Sequence, residues 1–347
     1  MKRVLGALLR ILIVLTILLT GLWTVGAFYF QLALGDRINI AAIVVWLIFV
    51  VAILLNELVR PTWRSRFVYL IAFIGVLAWW STIRPSNDRD FAETVSRGVT
   101  GTVSGDIVTL QNVRDFDWRS EVDYTPRWQT RRYDLSALSS VDLILSYWTG
   151  PAVAHAMVSF GFGDDHVVFS AEIRPEVHES FSVIGGFFRQ FELVLLAGDE
   201  RDIVRLRTNV RGEDVYLFPL AMPQAVMREL FLSFVDLGND LAETPRFYNT
   251  LTTNCITVVF RLVRAIDPGL PFDWRVLISG FLPGFIYDRQ PPAPGVSFEQ
   301  FVRAAAISER GLAAGTALDF SSRIRAPAIA PAAAEEPAAP AAAPAAP

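Results

Sequence analysis

Three apolar runs within the first 83 residues constrain this chain more than any other feature. Residues 11–35 carry no charge and are mostly Leu, Ile, Val and aromatic. Residues 38–56 are also free of Asp, Glu, Lys and Arg, and residues 67–83 form a third run ending in Trp79-Trp80. A helix needs about 20 apolar residues to cross a bilayer, so all three are spanning candidates, the third being the shortest. A soluble core would struggle to hide three such runs so close together. The first is too long for the apolar core of a signal peptide and has no small-residue cleavage site, so it is expected to be retained.

Basic residues near the ends set the expected orientation. Lys2, Arg3 and Arg10 accompany the first run, the first loop pairs Arg37 with Asp36, and the second loop holds Arg60, Arg64 and Arg66. The N-terminus and the second loop are therefore predicted to be cytoplasmic. Three crossings then put everything after residue 84 outside the cytoplasm, with Trp79 and Trp80 in the interfacial belt.

The net charge of −4 gives no case for nucleic-acid binding, and the 52% hydrophobic content is largely explained by the three runs. Residues 90–325 suffice for one globular domain with a sizeable core. Residues 326–347 are almost wholly Ala and Pro with Glu335 and Glu336, and are expected to form an extended, disordered tail. No internal repeat is apparent.

The outer domain reads as α+β. Residues 85–100 form a polar linker. Short strands are expected at 107–110, 141–145, 203–210 and 214–218. Residues 152–160 and 167–174 alternate as a hairpin around 161–165. Residues 223–242 open with Pro223 and carry Val226, Leu230, Phe234, Leu237 and Leu241 at helical spacing. A further helix starts near Cys255 and runs to about Ala265. Strands followed by helices give the class.

Cys255 is the lone cysteine, preceded by Thr252-Thr253-Asn254 and followed by an apolar helical pattern. A thiol in the first turn of a helix feels the positive end of the dipole, which favours thiolate. Without a disulfide partner in an oxidising compartment it is a reactive thiol, an intermolecular bridge or a buried spectator. The hairpin offers a base. His155, Met157 and Ser159 share one face of its first strand, and Val168, Ser170, Glu172 and Arg174 one face of its second. Keeping the apolar rows together requires paired positions to sum to an odd number, so His155 lies opposite Glu172 or Ser170. An imidazole facing a carboxylate is a base with its orienting acid, and a thiolate needs such a base. His166, in the turn, and His178 are read as surface residues. Arg201, Arg205, Arg207 and Arg211 interleave with Asp199, Glu200, Asp202, Glu213 and Asp214. Either they form a phosphate-binding patch or, the favoured reading, a solvated or internally paired strand face. The aromatic residues of 116–148 are read as packing.

The order of histidine on an early strand, acid on the next and cysteine later at a helix start resembles the circularly permuted papain-like families, such as the lecithin–retinol acyltransferases. More closely, the chain resembles the Lnb-type membrane family of bacterial lipoprotein N-acyltransferases in its periplasmic domain. The resemblance is carried by Trp79-Trp80 with residues 84–89, by 113–119, by Ser170-Ala171-Glu172-Ile173-Arg174, and by 186–193, 199–209 and 247–255. It covers roughly residues 79–290. Two departures stand out: Ile256 occupies the position after the cysteine, where Thr or a similar residue is expected, and the Ala/Pro tail lies outside the pattern.

The expected organisation is three transmembrane helices (1–84), read from the apolar runs, a linker and N-terminal part of the periplasmic domain (85–150), a catalytic core (151–290) that the resemblance implies to be permuted papain-like, and an extension (291–325). The resemblance implies Cys255 as nucleophile, His155 as general base, Glu172 or Ser170 as third member, and Asn254, Thr253 and Asn249 as residues near the oxyanion site. The implied activity is lipoprotein N-acylation through a Cys thioester. The donor is a membrane lipid or lipoprotein and the acceptor a lipoprotein N-terminus, at the bacterial inner membrane, with no metal or cofactor. A periplasmic cysteine hydrolase (amidase or peptidase) and a non-catalytic envelope scaffold are the alternative functions.

Overall fold

The computed structural model describes residues 2–325, which form two compact units. The Ala/Pro tail, 326–347, lies outside the described residues. The first unit comprises the chain up to Asp88 with the segments Glu179–Glu192 and Phe247–Thr250. Its helices are α1 (Lys2–Gln31), α2 (Asp36–Val59) and α3 (Trp63–Thr82), each long and apolar enough to cross a membrane. Helix α1 extends back past Arg10, whose Nε donates to the Glu57 carbonyl at 3.0 Å. Inside the bundle Ile17, Trp46, Val50, Ile53, Tyr69 and Val76 pack together. The polar groups there have partners, as an apolar solvent demands. Trp46 Nε1 donates to Gly21 O at 3.1 Å, Thr20 Oγ1 lies 2.6 Å from Tyr69 Oη, and Arg66 clasps Glu57 with two bonds of 2.9 and 2.7 Å.

The second unit comprises Arg89–His178, Leu193–Arg246 and the chain from Leu251 onward. Its strands in chain order are β1 (Thr100–Ser104), β2 (Ile107–Arg114), β3 (Asp117–Trp118), β4 (Tyr124–Thr125), β5 (Trp128–Asp134), β6 (Ser140–Tyr147), β7 (Ala154–Phe162), β8 (Asp165–Arg174), β9 (Glu192–Asp199) and β10 (Asp214–Pro219). One sheet runs β1-β2-β9-β8-β7-β6-β10, with β5 also paired to β2; β3 and β4 form a separate ribbon. The helices of this unit are α4 (Glu200–Arg205), α5 (Gln224–Glu243), α6 (Cys255–Ile266), α7 (Leu282–Arg289), α8 (Phe298–Ala305), α9 (Ser308–Ala314) and α10 (Phe320–Ile324). The unit is a mixed α+β structure.

Alternation along the strands divides the core between the two sheet faces. On one face Phe160 and Phe169 pack against Phe231 and Phe234 of α5, with ring centroids 5.1 Å (Phe160–Phe231) and 5.0 Å (Phe169–Phe234) apart. On the other, Ile144, Met157 and Val168 meet Ile203 and Val204 of α4, with Ile307, Ala314, Phe320 and Ile324. Residues after 291 thus supply part of this unit's core.

Three expectations are corrected. Residues 203–210 are not a strand: α4 runs into a π-helical turn, Leu206–Val210. Asp199 caps α4, accepting from Arg201 N at 2.9 Å, with Glu200 and Asp202 in the first turn and Arg205 in the last, all helix signals that outweigh the apparent alternation. The hairpin is tighter than expected: β7 reaches Phe162 and β8 begins at Asp165, with Gly163 at φ 68° supplying the left-handed position of a two-residue turn. That tightness moves His166 into β8, opposite Gly161 and buried, rather than on a surface turn. His178 is exposed.

The stretch 113–119 explains itself here. Asp202 accepts from Arg114 Nε (2.8 Å) and Nη2 (2.9 Å), from Phe116 N (2.8 Å) and from Trp118 Nε1 (2.7 Å). Both ions are buried. Asp202→Ala leaves the guanidinium uncompensated, a loss of about 3–5 kcal/mol. Thermal unfolding of the purified variant in detergent is expected roughly 10 °C lower; an unchanged midpoint would show that the pair contributes nothing net.

Candidate active site

Helix α6 begins at Cys255 because Asn254 caps it. The Asn254 side chain accepts from Thr257 N at 2.9 Å, and Thr257 Oγ1 accepts from Asn254 N at 2.8 Å. This reciprocal box fixes the entry angle of the chain and holds the buried sulfur at the positive end of the helix.

The register of β7 and β8 pairs Met157 with Ser170 and Phe162 with Asp165, odd sums as the apolar rows require. The ladder stops at Met157–Ser170 although both strands continue. Beyond that point the Ala156 backbone N–H donates to Cys255 Sγ. The sulfur thus occupies the place where the hairpin opens. The His155 imidazole hydrogen-bonds the same sulfur. Its Nε2 lies 2.7 Å from Ser170 Oγ and 3.0 Å from Glu172 Oε1. Ser170 donates to Glu172 Oε1 at 2.7 Å. Serine and glutamate therefore both reach the ring, Ser170 as a bridge between the imidazole and the carboxylate.

Arg207 completes the chain. It is buried on the π-helical turn, donates Nη1 to Ile203 O at 2.9 Å and Nη2 to Glu172 Oε1 at 3.0 Å. The sequence reading missed this residue by placing it on a strand face. The π turn matters, because its i→i+5 bond, Arg211 N to Leu206 O at 2.9 Å, shifts the helix register locally. Among the other arginines of that run, Arg201 pairs with Asp199 and Asp115, and Arg211 with Glu121 and Glu213.

The electrostatics follow from these contacts. Burial pulls the His155 pKa down, but the Glu172 carboxylate and then the Cys255 sulfur overcome it and push it up to about 9. Burial pushes the Cys255 thiol up, and the imidazole beside it, helped by the Ala156 N–H, brings it below its ordinary value. Burial would likewise raise Glu172; the imidazole first and Arg207 next hold it well below the usual carboxylate range. The site favours a thiolate–imidazolium pair anchored by a carboxylate and a guanidinium.

The remaining candidates sit differently. Asn254 shapes the helix start, Thr253 is half-buried in the extended backbone just before it, and Asn249 belongs to the segment Phe247–Thr250 of the first unit. Nearby, a cavity of about 870 Å³ is lined by Tyr147, Trp148, Tyr216, Trp274, Phe281 and Phe298, among others. Tyr147 is paired with Ala154, the neighbour of His155.

Residues 124–280 match the family described as the Lnb N-terminal periplasmic domain. The matched stretch contains His155, Ser170, Glu172, Arg207 and Cys255. This likeness, over rather less than half of the chain, and the three apolar helices together support a membrane protein with a periplasmic domain. Neither the curated proteins nor the solved structures give a match.

Proposed function

We propose that this protein is a thiol acyltransferase of the bacterial inner membrane, with its N-terminus cytoplasmic and its catalytic unit periplasmic, and that it N-acylates lipoproteins. The observation that carries this reading is the continuous chain Cys255–His155–Ser170/Glu172–Arg207, in a Cys/His order like that of permuted papain-like enzymes. Cys255 thiolate attacks the ester carbonyl of a membrane lipid or lipoprotein. The carbonyl oxygen becomes an oxyanion, within reach of N–H groups at the start of α6. The C–O bond breaks and the alkoxide takes the proton of the His155 imidazolium, leaving a thioester. The α-amine of a lipidated N-terminal cysteine then attacks. The amine proton passes to His155, the C–S bond breaks, and the thiolate–imidazolium pair returns.

A lipid donor is favoured by the surface near the nucleophile. Phe272, Trp274, Leu277, Ile278 and Phe281 follow α6 and are each more than 40% exposed. Phe272 lies against Phe260 of α6, and the 870 Å³ cavity, lined by aromatic residues but also by Arg211, Glu213, Asp214 and Arg275, shares Trp274 and Phe281. Such a cluster suits an acyl chain better than a soluble peptide.

Mass spectrometry of lipoproteins tests the reading in a host lacking its own N-acyltransferase. With this protein expressed, an amide-linked acyl chain is expected on the N-terminal cysteine. Free amines together with released fatty acid would instead identify a hydrolase; unchanged lipoproteins and no released acid would leave a scaffold.

A further inference from the structure

The segment Glu179–Glu192 belongs to the unit of the membrane helices. From Ser180 to Phe188 it carries no charge, and Phe181, Val183, Ile184 and Phe187 are 60%, 53%, 62% and 44% exposed. Such side chains in a row are unusual on a wetted loop. Two further observations say what covers them.

The first is depth. The Phe188 ring stacks on Phe30 of α1, with centroids 5.5 Å and planes 14° apart, and sits 6.4 Å from the ring of Trp23. It fills the notch left by Gly26, where a Cβ would come within 2.3 Å of the ring. Gly26 lies five residues before the end of α1 at Gln31, about 7.5 Å down the helix. The neighbouring apolar residues therefore sit close to the boundary between headgroups and acyl chains. Arg189 marks the upper rim: its guanidinium lies 4.7 Å over the Trp80 ring, and Nη1 donates to Trp80 O at 2.9 Å.

The second is backbone satisfaction. Gly185 N donates to Ser182 Oγ (2.9 Å), Gly186 N to Ser182 O (3.3 Å), Phe187 N to Ile184 O (3.0 Å), and Phe188 N and Gln190 N to Gly185 O (2.9 and 3.2 Å). The carbonyl of Val183 accepts from Thr250 Oγ1 at 2.8 Å, and those of Phe188 and Arg189 accept from Gln31 Nε2 at 2.9 and 2.8 Å. Water would serve these groups on an exposed loop. Here internal bonds serve the N–H groups of 185–188, while those of 181–184 have none among the bonds described, which suits a loop lying at the headgroup boundary, where water and headgroups still reach it, rather than deep in hydrocarbon.

We infer that residues 181–187 form an interfacial wedge that inserts into the outer leaflet beside the helix bundle, its occupant being lipid acyl chains. This goes beyond the proposed chemistry and does not depend on it.

The lone cysteine makes the test direct. In full-length Cys255→Ala, a single cysteine is placed at Ile184 and, in a second variant, at Phe181; each is nitroxide-labelled and reconstituted in phosphatidylethanolamine–phosphatidylglycerol vesicles. Leu70 on the exposed surface of α3 serves as the lipid control and Val122, 91% exposed in the second unit, as the water control. Collision with oxygen is expected to exceed collision with a water-soluble nickel chelate several-fold, as at Leu70. Chelate access equal to that at Val122 would overturn the wedge, as would low access to both reagents, which would mean protein covers the loop. Activity is not read, so failure here leaves the acyltransferase reading standing, and the reverse also holds.

Discussion

Cys255→Ala is expected to abolish amine acylation by the purified, reconstituted protein, with a loss of roughly 10⁴-fold or more, the scale seen when a nucleophile is removed from a unit of residues acting together. The small side chain removes the sulfur without disturbing the Asn254–Thr257 box that starts the helix. Folding should therefore be retained, and a melting curve close to that of the parent separates chemistry from structure. The parent, given lipid donor without acceptor, should accumulate an acyl group on Cys255 that hydroxylamine releases. Acyl incorporation undiminished in the alanine variant would end the covalent mechanism. Full retention of lipoprotein modification would point to a scaffold role.

The pH profile is the second large effect. The reactive form holds a thiolate and an imidazolium together. It appears as pH rises through the lowered Cys255 titration and disappears as His155 deprotonates, at about 9. The coupled pair should give a bell with its alkaline limb near that value. Glu172→Gln removes the larger of the two charges that sustain the imidazolium, leaving only the Cys255 sulfur to oppose the downward pull of burial on the His155 pKa. The alkaline limb should move toward neutrality and the maximal rate should fall, on the order of 10²- to 10⁴-fold. Arg207→Met acts one step back. Without the guanidinium the Glu172 carboxylate rises from its depressed pKa, so the imidazolium loses support in the same direction. A rate profile in Arg207→Met with an unmoved alkaline limb would assign Arg207 to structure alone. Partial recovery in Arg207→Lys would restore the charge without the fork.

Much of this was legible from local pattern. Apolar length marks the three helices, because a bilayer imposes a minimum span on any sequence that crosses it. Alternation gave the β7–β8 register, because a one-residue slip exposes a whole apolar row. Asn254 before an apolar helical run marked the start of α6. The strand expected at 203–210 shows the limit: Ile203, Arg205 and Arg207 alternate well enough to look extended, yet the Asp199 cap and the acidic first turn decide for helix. His166 shows another, since a two-residue turn in place of a six-residue connection carries it from a surface turn into a buried strand.

The sequence alone determined the membrane anchor, the α+β class and the chemical types available: one thiol, three imidazoles and a carboxylate in register with one of them. These rest on periodicity and composition, which act over neighbours in the chain. Only tertiary structure decided that the hairpin opens after Met157–Ser170 to admit the sulfur, that Ser170 bridges ring and carboxylate, and that Arg207 closes the chain from a π-helical turn. The Arg207–Glu172 and His155–Cys255 contacts join residues 35 and 100 positions apart. Their energies depend on burial and mutual orientation, which no local pattern encodes.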